Sequence, residues 1–292
     1  MSPTLTVLMT TYRGTTAAEL RRSMASILDQ TRAPDQVVIV VDGPVPADLD
    51  QAVDEAAATG ANVLVERLPE NLGSGPASNA GLALSVGDFV ARQDSDDISL
   101  GSRLERQMAA LAERDLDLVG SYIDEFDADP TQVLGTRTAP LSSAAIARRL
   151  RINNPINNPS MVFRRELAVS VGGYQDVPFH EDYDLIARMI AAGGRAENVP
   201  ETLVLFNAGN GMLGRRSGVR MLRHEWLMQR RLREYGVIGT AGLVRNLALR
   251  GAFRLVPGRL LTRLYPLVFR RGPRQPTSLG LGACSGPTRP AP

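Results

Sequence analysis

The sequence predicts an α/β protein with a mostly parallel, doubly wound sheet and a helical, basic C-terminal extension. In the first half, short runs rich in Val, Leu and Ile alternate with segments whose apolar residues recur at helical spacing. Polar and glycine-rich turns follow the apolar runs, as expected where buried parallel strands end. A hydrophobic content of 43% and a charged content of 22% are compatible with a full core.

The first half of the chain predicts a βαβαβαβ order of elements. The apolar runs predicted as strands are 5–9, 37–41, 62–67 and 88–92. The segments predicted as helices are 17–30, 47–58, 76–85 and 99–113. Proline suits the first turn of the third helix, and Ser99 is expected to cap the fourth. In such a sheet, ligands bind beyond the carboxyl ends of the strands.

The second half of the chain has a less regular pattern. Its predicted elements are a helix at 140–150, a loop at 153–160, a strand at 160–164, and helices at 182–192 and 217–235. Composition divides the chain into a main domain at 1–235, a basic helical extension at 236–271 and a disordered Pro/Gly/Ser-rich tail at 272–292.

The distribution of charged residues and cysteine excludes several function classes. The chain has no lysine, so it lacks a Walker A lysine and the Schiff-base lysine of pyridoxal enzymes. Its last acidic residue is Glu234, and nine arginines follow it. The single cysteine, Cys284, excludes a disulfide framework and a cysteine metal site. No uncharged apolar run reaches about 18 residues, so we expect a cytoplasmic protein.

Polar side chains follow the first two predicted strands. Thr11 lies two residues past the first strand, and Asp42 directly follows the second. Because these strand ends are neighbours at one edge of a doubly wound sheet, the hydroxyl and the carboxylate can bind a base or a ribose there. The alternative is that Asp42, Gly43 and Pro44 form only a turn.

A glycine-rich loop, NLGSGPASNAGL, begins at Asn71 and opens the third predicted helix. A helix N-terminus of this kind suits a phosphate or a ribose. The loop is not a dinucleotide fingerprint, since Ser78 stands where the third glycine would be and Pro76 interrupts it. The alternative is a tight turn with a helix cap.

Three carboxylates, Asp94, Asp96 and Asp97, fall within four residues after the fourth predicted strand. Their repulsion is costly unless a cation or hydrogen bonds compensate it. Carboxylate and diphosphate oxygens suit Mg²⁺ or Mn²⁺, so a metal-bound nucleotide diphosphate is the expected occupant. A calcium EF-hand fits poorly, because Ile98 and Ser99 stand where an acid and a glycine are needed. The alternative is an acidic surface turn.

The run His180-Glu181-Asp182-Tyr183-Asp184 begins the predicted helix that follows the loop and strand of the second half. Carboxylates at a helix N-terminus interact favourably with the helix dipole, so capping is one interpretation. The other is a general base that projects into the cleft. His180 is one of two histidines, and a role as ligand, base or polar residue stays open.

In this order, the motifs resemble the inverting glycosyltransferases of family 2, which have the nucleotide-diphospho-sugar transferase (GT-A) fold. The resemblance covers residues 4–235 and rests on the segments VLMTTYRG, VDGP, NLGSGPASNAGL, VARQDSDDIS, NNPSMVFRR and GGYQDVPFHEDYDLIARMIAAGG. The pattern is similar to that of bacterial exopolysaccharide transferases of the amylovoran type. The resemblance implies a catalytic domain at 1–235 that moves a sugar from a nucleotide diphosphate sugar to a glycan acceptor.

The resemblance also implies roles for the matching residues on the donor side. Thr11 and Asp42 match the pair that contacts the base, and Asn71 belongs to the nucleotide-binding loop. Asp94 is expected near the ribose and the diphosphate, and Asp96 on a Mn²⁺ or Mg²⁺ ion. UDP-sugars or dTDP-sugars are the favoured donors.

On the acceptor side, Asp182 matches the catalytic base that deprotonates the acceptor hydroxyl, so that the anomeric centre is inverted. The acceptor is expected to be a glycan carried on a polyprenyl diphosphate. Arg215 and Arg216 are candidates for a loop over the diphosphate, with a solvated charge pair as the alternative.

The sequence departs from many relatives at Gly43, where they have a second aspartate, and at Ser78, where they have arginine. The Gln-x-x-Arg-Trp signature of processive synthases is absent, so one sugar per acceptor is expected.

The basic extension at 236–271 predicts an association with an anionic membrane surface, which would place the protein on the inner face of the plasma membrane. Pro257 and Pro266 divide the extension into short helices. The alternative is that these helices pack their apolar sides on the catalytic domain.

Three other function classes have weaker support. A sugar nucleotidyltransferase would need a phosphate-binding lysine and an N-terminal glycine-rich loop. An inactive paralogue that binds nucleotide sugars or glycans would not need a base such as Asp182. Nucleic-acid binding is not expected, because the main domain is acidic and poor in aromatic residues.

Overall fold

The structure is a computed structural model that describes residues 2–60, 62–209 and 219–255. One mixed sheet of nine strands runs through these residues. The strands are β1 Leu5–Thr11, β2 Gln36–Val41, β3 Val63–Arg67, β4 Phe89–Asp94, β5 Ile98–Ser99, β6 Leu118–Phe126, β7 Val133–Arg137, β8 Val162–Arg164 and β9 Ala196–Asn207. The helices are α1 Ala17–Leu28, α2 Ala47–Ala57, α3 Ser74–Leu84, α4 Arg103–Glu113, α5 Ser143–Leu150, α6 Arg165–Ser170, α7 Glu181–Ala191, α8 Val219–Glu234 and α9 Thr240–Leu255.

The strand order is β3-β2-β1-β4-β8-β6-β9-β5, and β7 pairs with β6. Strands β1 to β4 are mutually parallel, which confirms the doubly wound sheet predicted for the first half. Strand β8 is antiparallel to both β4 and β6, whereas β6 and β9 are parallel. The strands of the second half of the chain therefore extend the same sheet with a part in which parallel and antiparallel pairs are mixed.

The alternation of side chains along the strands builds a separate core on each face of the sheet. On one face, Met9 and its neighbours pack with buried residues of α1, α2 and α4, such as Leu20. On the other face, Leu8 packs with buried residues of α3 and α7, such as Leu82 and Leu185. Residues of even number in β1 and β4 thus face α3 and α7, and Asp94 at the end of β4 is one of them.

The fourth predicted helix begins later than expected. Ser99 lies in β5 and not at a helix cap, so that prediction is wrong, and α4 begins at Arg103. The backbone N–H of Ser99 donates to Ser26 Oγ at 3.0 Å, and Ser99 Oγ donates to Gln93 Oε1 at 2.7 Å. Through these bonds, Ser99 holds the segment after the three carboxylates against α1 and β4.

The C-terminal helices pack on the body of the protein. Val237 and Leu243 join the core on the α3 and α7 side, so α9, which lies within the predicted basic extension, is attached to the main domain. Residues 256–271 and the tail at 272–292 lie outside the described residues, and the division of the chain at 235 stays a prediction. Within the described ranges, no helix combines the length and hydrophobicity that crossing a bilayer requires.

Candidate active site

The carboxyl ends of β1, β2 and β4 meet the N-termini of α3 and α7 at one edge of the sheet. Gly75, in the first turn of α3, marks how closely the two helix starts approach. A Cβ atom at this position would lie 2.8 Å from Gln175 O and 3.4 Å from Glu181 Cβ. Glycine is therefore needed for α3 to begin directly beside the start of α7.

Thr11 and Asp42 are neighbours at the ends of β1 and β2. The backbone N–H of Asp42 donates to Thr11 O at 2.8 Å. The Thr11 side chain is buried, and its Oγ1 has no hydrogen-bond partner among the described residues. A buried hydroxyl without a partner is unusual in a folded protein, and a bound ligand is one way to satisfy it.

Asp42 organises the glycine-rich loop that follows β3. Its Oδ1 accepts a hydrogen bond from Leu72 N at 2.7 Å, and its Oδ2 accepts from Gly73 N and Asn71 Nδ2, both at 3.0 Å. Gly43 has a φ of +80°, and a Cβ there would lie 2.5 Å from Asn71 N. Asp42 thus fixes the start of α3, and the side chain of Asn71 is committed to Asp42.

Asp94 forms an ion pair with a buried arginine of its own strand. Arg92 Nη2 lies 3.1 Å from Asp94 Oδ1, and its side chain is 2% exposed against 28% for Asp94. The guanidinium also lies 6.0 Å from the centre of the Tyr174 ring. The sequence analysis missed Arg92, although an arginine directly after the apolar residues FVA of a predicted buried strand is the signal that points to it.

Asp97 is the buried member of the carboxylate group. Burial raises its pKa well above the ordinary value, and the nearby negative charges of Asp96 and Asp94 raise it further. Its Oδ1 accepts a hydrogen bond from the backbone N–H of Asn207 at 2.8 Å. Arg103 is also buried, which lowers its pKa to about 10 and leaves it charged at neutral pH.

Asp96 is half-buried between Asp94 and Asp97. Within the described ranges, no group of three or more His, Cys, Asp or Glu side chains is arranged to hold a metal ion. A divalent cation at Asp96 would therefore need further oxygen ligands, and a nucleotide diphosphate carries them. The local excess of carboxylate charge fits a cation completed in this way.

Tyr174 lies between the carboxylates after β4 and the start of α7. Its side chain is buried, which raises the pKa of its hydroxyl. The charges of Asp182, Glu181 and Asp94 raise that pKa as well, while Arg92 opposes them. Arg92, the partner of Asp94, lies near this ring, and α7, which holds Asp182, begins beside the first turn of α3. The two predicted functional carboxylates therefore lie at the same edge of the sheet.

Asp182 is the second residue of α7 and is half-buried. Its Oδ2 accepts a hydrogen bond from Asn154 Nδ2 at 2.7 Å, and its Oδ1 accepts from the backbone N–H of Tyr183 at 2.7 Å. His180 directly precedes α7, and its Nε2 lies 3.6 Å from Glu225 Oε2 on α8. His180 therefore contacts the C-terminal helices, whereas Asp182 is held by the loop that contains Asn154.

The structure thus brings Thr11, Asp42, Asn71, Asp94, Asp96 and Asp182 to one edge of the sheet. Arg215 and Arg216 lie outside the described residues. The sequence analysis missed Asn154 because its partner is distant in the chain, and it missed Tyr174 because a single tyrosine after GG carries no pattern of its own.

Comparison with known proteins finds a matching family model, similar sequences and similar solved structures. Residues 6–172 match the family model described as "Glycosyl transferase family 2". The chain is 33% identical to the "Amylovoran biosynthesis glycosyltransferase AmsE" of Erwinia amylovora, over 89% of this chain and 97% of that protein. It is 29% identical to the "UDP-Gal:alpha-D-GlcNAc-diphosphoundecaprenol beta-1,3-galactosyltransferase" of Escherichia coli, over 92% of this chain and 98% of that one.

Two solved structures share the fold. S. aureus TarS 1-349 in complex with UDP has a TM-score of 0.63 at 17% identity, over 91% of this chain and 75% of that chain. The mannosyltransferase PcManGT from Pyrobaculum calidifontis, in complex with GDP-Man and Mn²⁺, has a TM-score of 0.60 at 18% identity, over 91% and 81%. At these identities the similarity concerns the fold, and the expected GT-A fold is confirmed.

Proposed function

This chain belongs to glycosyl transferase family 2, and we propose that it transfers a sugar from a nucleotide diphosphate sugar to a lipid-linked glycan, with inversion and with a divalent cation. One observation carries the proposal. The carboxylates after β4 and the carboxylate of Asp182 lie at one edge of the sheet, because α7 begins beside the first turn of α3 and Arg92, the partner of Asp94, lies 6.0 Å from the centre of the Tyr174 ring. A donor diphosphate needs the first group, and an attacking hydroxyl needs the second.

The donor is proposed to bind at the ends of β1, β2 and β4. The unpartnered hydroxyl of Thr11 offers a hydrogen bond to the base, and Asp42 shapes the adjoining loop. Asp94 would face the ribose and the diphosphate. A uridine nucleotide is the proposed donor class, with thymidine as the alternative; the E. coli relative is named for UDP-Gal, and the TarS structure contains UDP.

Asp96 is the residue proposed to hold Mn²⁺ or Mg²⁺ together with diphosphate oxygens. When bound, such an ion stabilises the negative charge that develops on the leaving diphosphate. The buried Arg92 compensates the charge of Asp94. Asp96 is half-buried next to it and is the residue that matches the metal ligand of the Asp-x-Asp motif. PcManGT, which shares the fold, was solved with Mn²⁺.

Asp182 is the proposed base. The acceptor hydroxyl loses its proton to the Asp182 carboxylate while its oxygen bonds to the anomeric carbon. The bond between that carbon and the diphosphate oxygen breaks, and the diphosphate leaves with the electron pair. Because attack comes from the side opposite the leaving group, the anomeric configuration is inverted. The hydrogen bond from Asn154 to Asp182 Oδ2 favours the charged carboxylate that accepts the proton.

The acceptor is proposed to be carried on a polyprenyl diphosphate at the inner face of the plasma membrane. The E. coli relative is named for a diphosphoundecaprenol acceptor. The nine arginines after Glu234 give the C-terminal part a positive charge that anionic lipids attract. On α9, the exposed side chains of Val244 and Leu249 add apolar surface that can enter the lipid boundary.

A thermal-shift screen of UDP-, dTDP- and GDP-sugars with Mn²⁺ tests the donor assignment. A donor at about one hundred times its dissociation constant should stabilise the protein by about 2.7 kcal/mol. We expect UDP- or dTDP-sugars to stabilise it, and chelator to remove the effect. Stabilisation by GDP-sugars alone would refute a uridine or thymidine nucleotide as the donor. Equal stabilisation in the presence of chelator would refute the role of the cation in donor binding.

A further inference from the structure

Asp182 is held in place by a loop that lies far from it in the chain. Asn154 Nδ2 donates to Asp182 Oδ2 at 2.7 Å, while Asn154 Oδ1 accepts from the backbone N–H of Ile156 at 3.1 Å. The second bond fixes the plane of the amide and directs its NH₂ group to the carboxylate. The position of Asp182 therefore depends on the position of the backbone at Asn154.

Helix α9 holds the backbone just before Asn154. Asn246, which is buried, donates through Nδ2 to Arg151 O at 2.7 Å and to Gln229 Oε1 on α8 at 2.7 Å. Arg250 Nη2 donates to Ile152 O at 2.7 Å. Two side chains of α9 thus hold two consecutive carbonyl groups. These carbonyls lie three and two residues before Asn154 in the chain.

The same arginine also reaches the other side of Asp182. Arg250 Nη1 pairs with Glu225 Oε2 on α8, and the same oxygen lies 3.6 Å from His180 Nε2. The Glu225 side chain is 5% exposed and that of Arg250 is 19% exposed, so this contact is shielded from solvent. His180 directly precedes α7 and stands two residues before Asp182.

We propose that Arg250 and Asn246 are positioning residues for the reaction, acting on Asp182 through Asn154 on one side and through Glu225 and His180 on the other. Helix α9 is then part of the acceptor half of the active site, in addition to any contact with a membrane. This inference rests on the role of base proposed above for Asp182. These bonds of α9 all lead to the loop at 151–154 and to α8, away from the proposed donor site.

A double-mutant cycle separates positioning from general stability. Turnover is followed as UDP release from UDP-galactose with GlcNAc-diphosphoundecaprenol as acceptor. We expect Arg250→Ala to lower kcat by about 10-fold to 100-fold, as for a small misplacement of a reacting group, with the Kd of UDP and Mn²⁺ unchanged. In the Asp182→Asn background the same change should cost less than about twofold, because the group it positions is gone.

The matched control is Arg230→Ala on α8, which removes an exposed arginine paired with Glu234. It should leave kcat unchanged. If Arg250→Ala lowers kcat by the same factor with and without Asp182, its role is structural and the inference is wrong. If Asp182→Asn alone keeps normal turnover, the proposed base is wrong instead.

If Arg250→Ala folds poorly, or if the protein does not use this substrate pair, a second variant and a second measurement test the inference. Glu225→Gln keeps the volume of the side chain and removes its charge. We expect faster amide hydrogen exchange at 150–156 and at the first turn of α7 than in Arg230→Ala, with unchanged exchange in α1 and α2. Exchange at 150–156 equal to that of the control would overturn the inference.

Discussion

Arg92 and Asp94 form an ion pair beneath the cleft, with 3.1 Å between Arg92 Nη2 and Asp94 Oδ1. The guanidinium is buried, and it also lies within 3.4 Å of Leu8 O and of Thr10 Oγ1. A buried arginine is always charged, so it needs the carboxylate as much as the carboxylate needs it. The pair therefore couples the proposed donor site to the stability of the sheet.

Replacing Arg92 with Met should lower both stability and donor affinity. Methionine keeps an apolar side chain but leaves Asp94 without the guanidinium. The negative charge of Asp94 can then compete for the metal ion. We expect a loss of up to about 3 kcal/mol in the free energy of unfolding, since Asp94 is partly exposed, and at least about tenfold weaker binding of UDP with Mn²⁺. Arg21→Ala, which removes an exposed pair with Glu55, is the control and should change neither. Unaltered UDP binding by Arg92→Met in calorimetry would contradict this account.

Removal of the metal should abolish donor binding or turnover. We expect full-length protein in chelator to lose activity and to regain it with Mn²⁺. Asp96→Ala should stay inactive even with excess Mn²⁺, because the ion loses its proposed protein ligand. The Kd of UDP, measured with and without Mn²⁺, checks both points. Full activity in chelator would remove the metal from the mechanism.

Asp182→Asn should separate binding from chemistry. Asparagine keeps the shape and the helix start but cannot accept the proton, so turnover should fall by about 10²–10⁴ while donor affinity is retained. The anomeric configuration of the product, read by NMR, should be opposite to that of the donor. Near-normal transfer by this variant would leave Asp182 as a helix cap, and a retained configuration would exclude direct displacement.

Gly173→Ala should disturb the support of Tyr174. Gly173 has a φ of +61°, and a Cβ there would lie 2.2 Å from Asn79 Oδ1, the atom that accepts from Tyr174 N at 3.0 Å. Gly193 has a φ of +96° with no atom within 4 Å of such a Cβ, so Gly193→Ala isolates the backbone strain. We expect about 1–3 kcal/mol of destabilisation in Gly193→Ala and a larger loss in Gly173→Ala, measured by denaturant unfolding. Equal losses would mean that the contact with Asn79 contributes nothing.

The C-terminal residues should direct the protein to anionic lipid. A chain that ends at Leu255 keeps Asn246 and Arg250 but lacks the six arginines beyond residue 255. We expect full-length protein to co-sediment with phosphatidylglycerol vesicles at low salt and to dissociate as salt screens the attraction. The shortened chain should bind UDP normally and stay in solution. Full-length protein that ignores these vesicles at low salt would disprove a membrane role.

Local patterns predicted the parallel strands of the first half and the edge at which they end. Strands β1, β2 and β4 begin with mostly apolar residues, Asp42 and Asp94 follow or end such strands, and Asp96 lies two residues further, so their meeting at one edge follows from the parallel topology. Strand β6, LVGSYIDEF, is different. Its glycine, serine and acidic residues are accommodated because β9 pairs with it along nearly its whole length, and that partner comes 70 residues later.

The position of Asp182 depends on contacts that no local pattern encodes. The bond from Asn154 to Asp182 spans 28 residues, and that from Arg250 to Ile152 spans 98. The motif around Asp182 was recognisable, but the residues that orient it were not. Arginine at position 92 breaks the apolar character of β4, and only the structure supplies the carboxylate and the ring that account for it.

The place of β8 in the sheet has a consequence for engineering. Residues 162–164 lie between β4 and β6, so the strand that joins the two halves of the molecule comes from within the second half. A chimaera that takes β6 and β9 from a relative must therefore carry β8 together with them. A crossover in the turn between α4 and β6 meets this condition. A crossover after β8, such as one near residue 172 where the family match ends, would leave one parent's β6 paired with the other parent's β9.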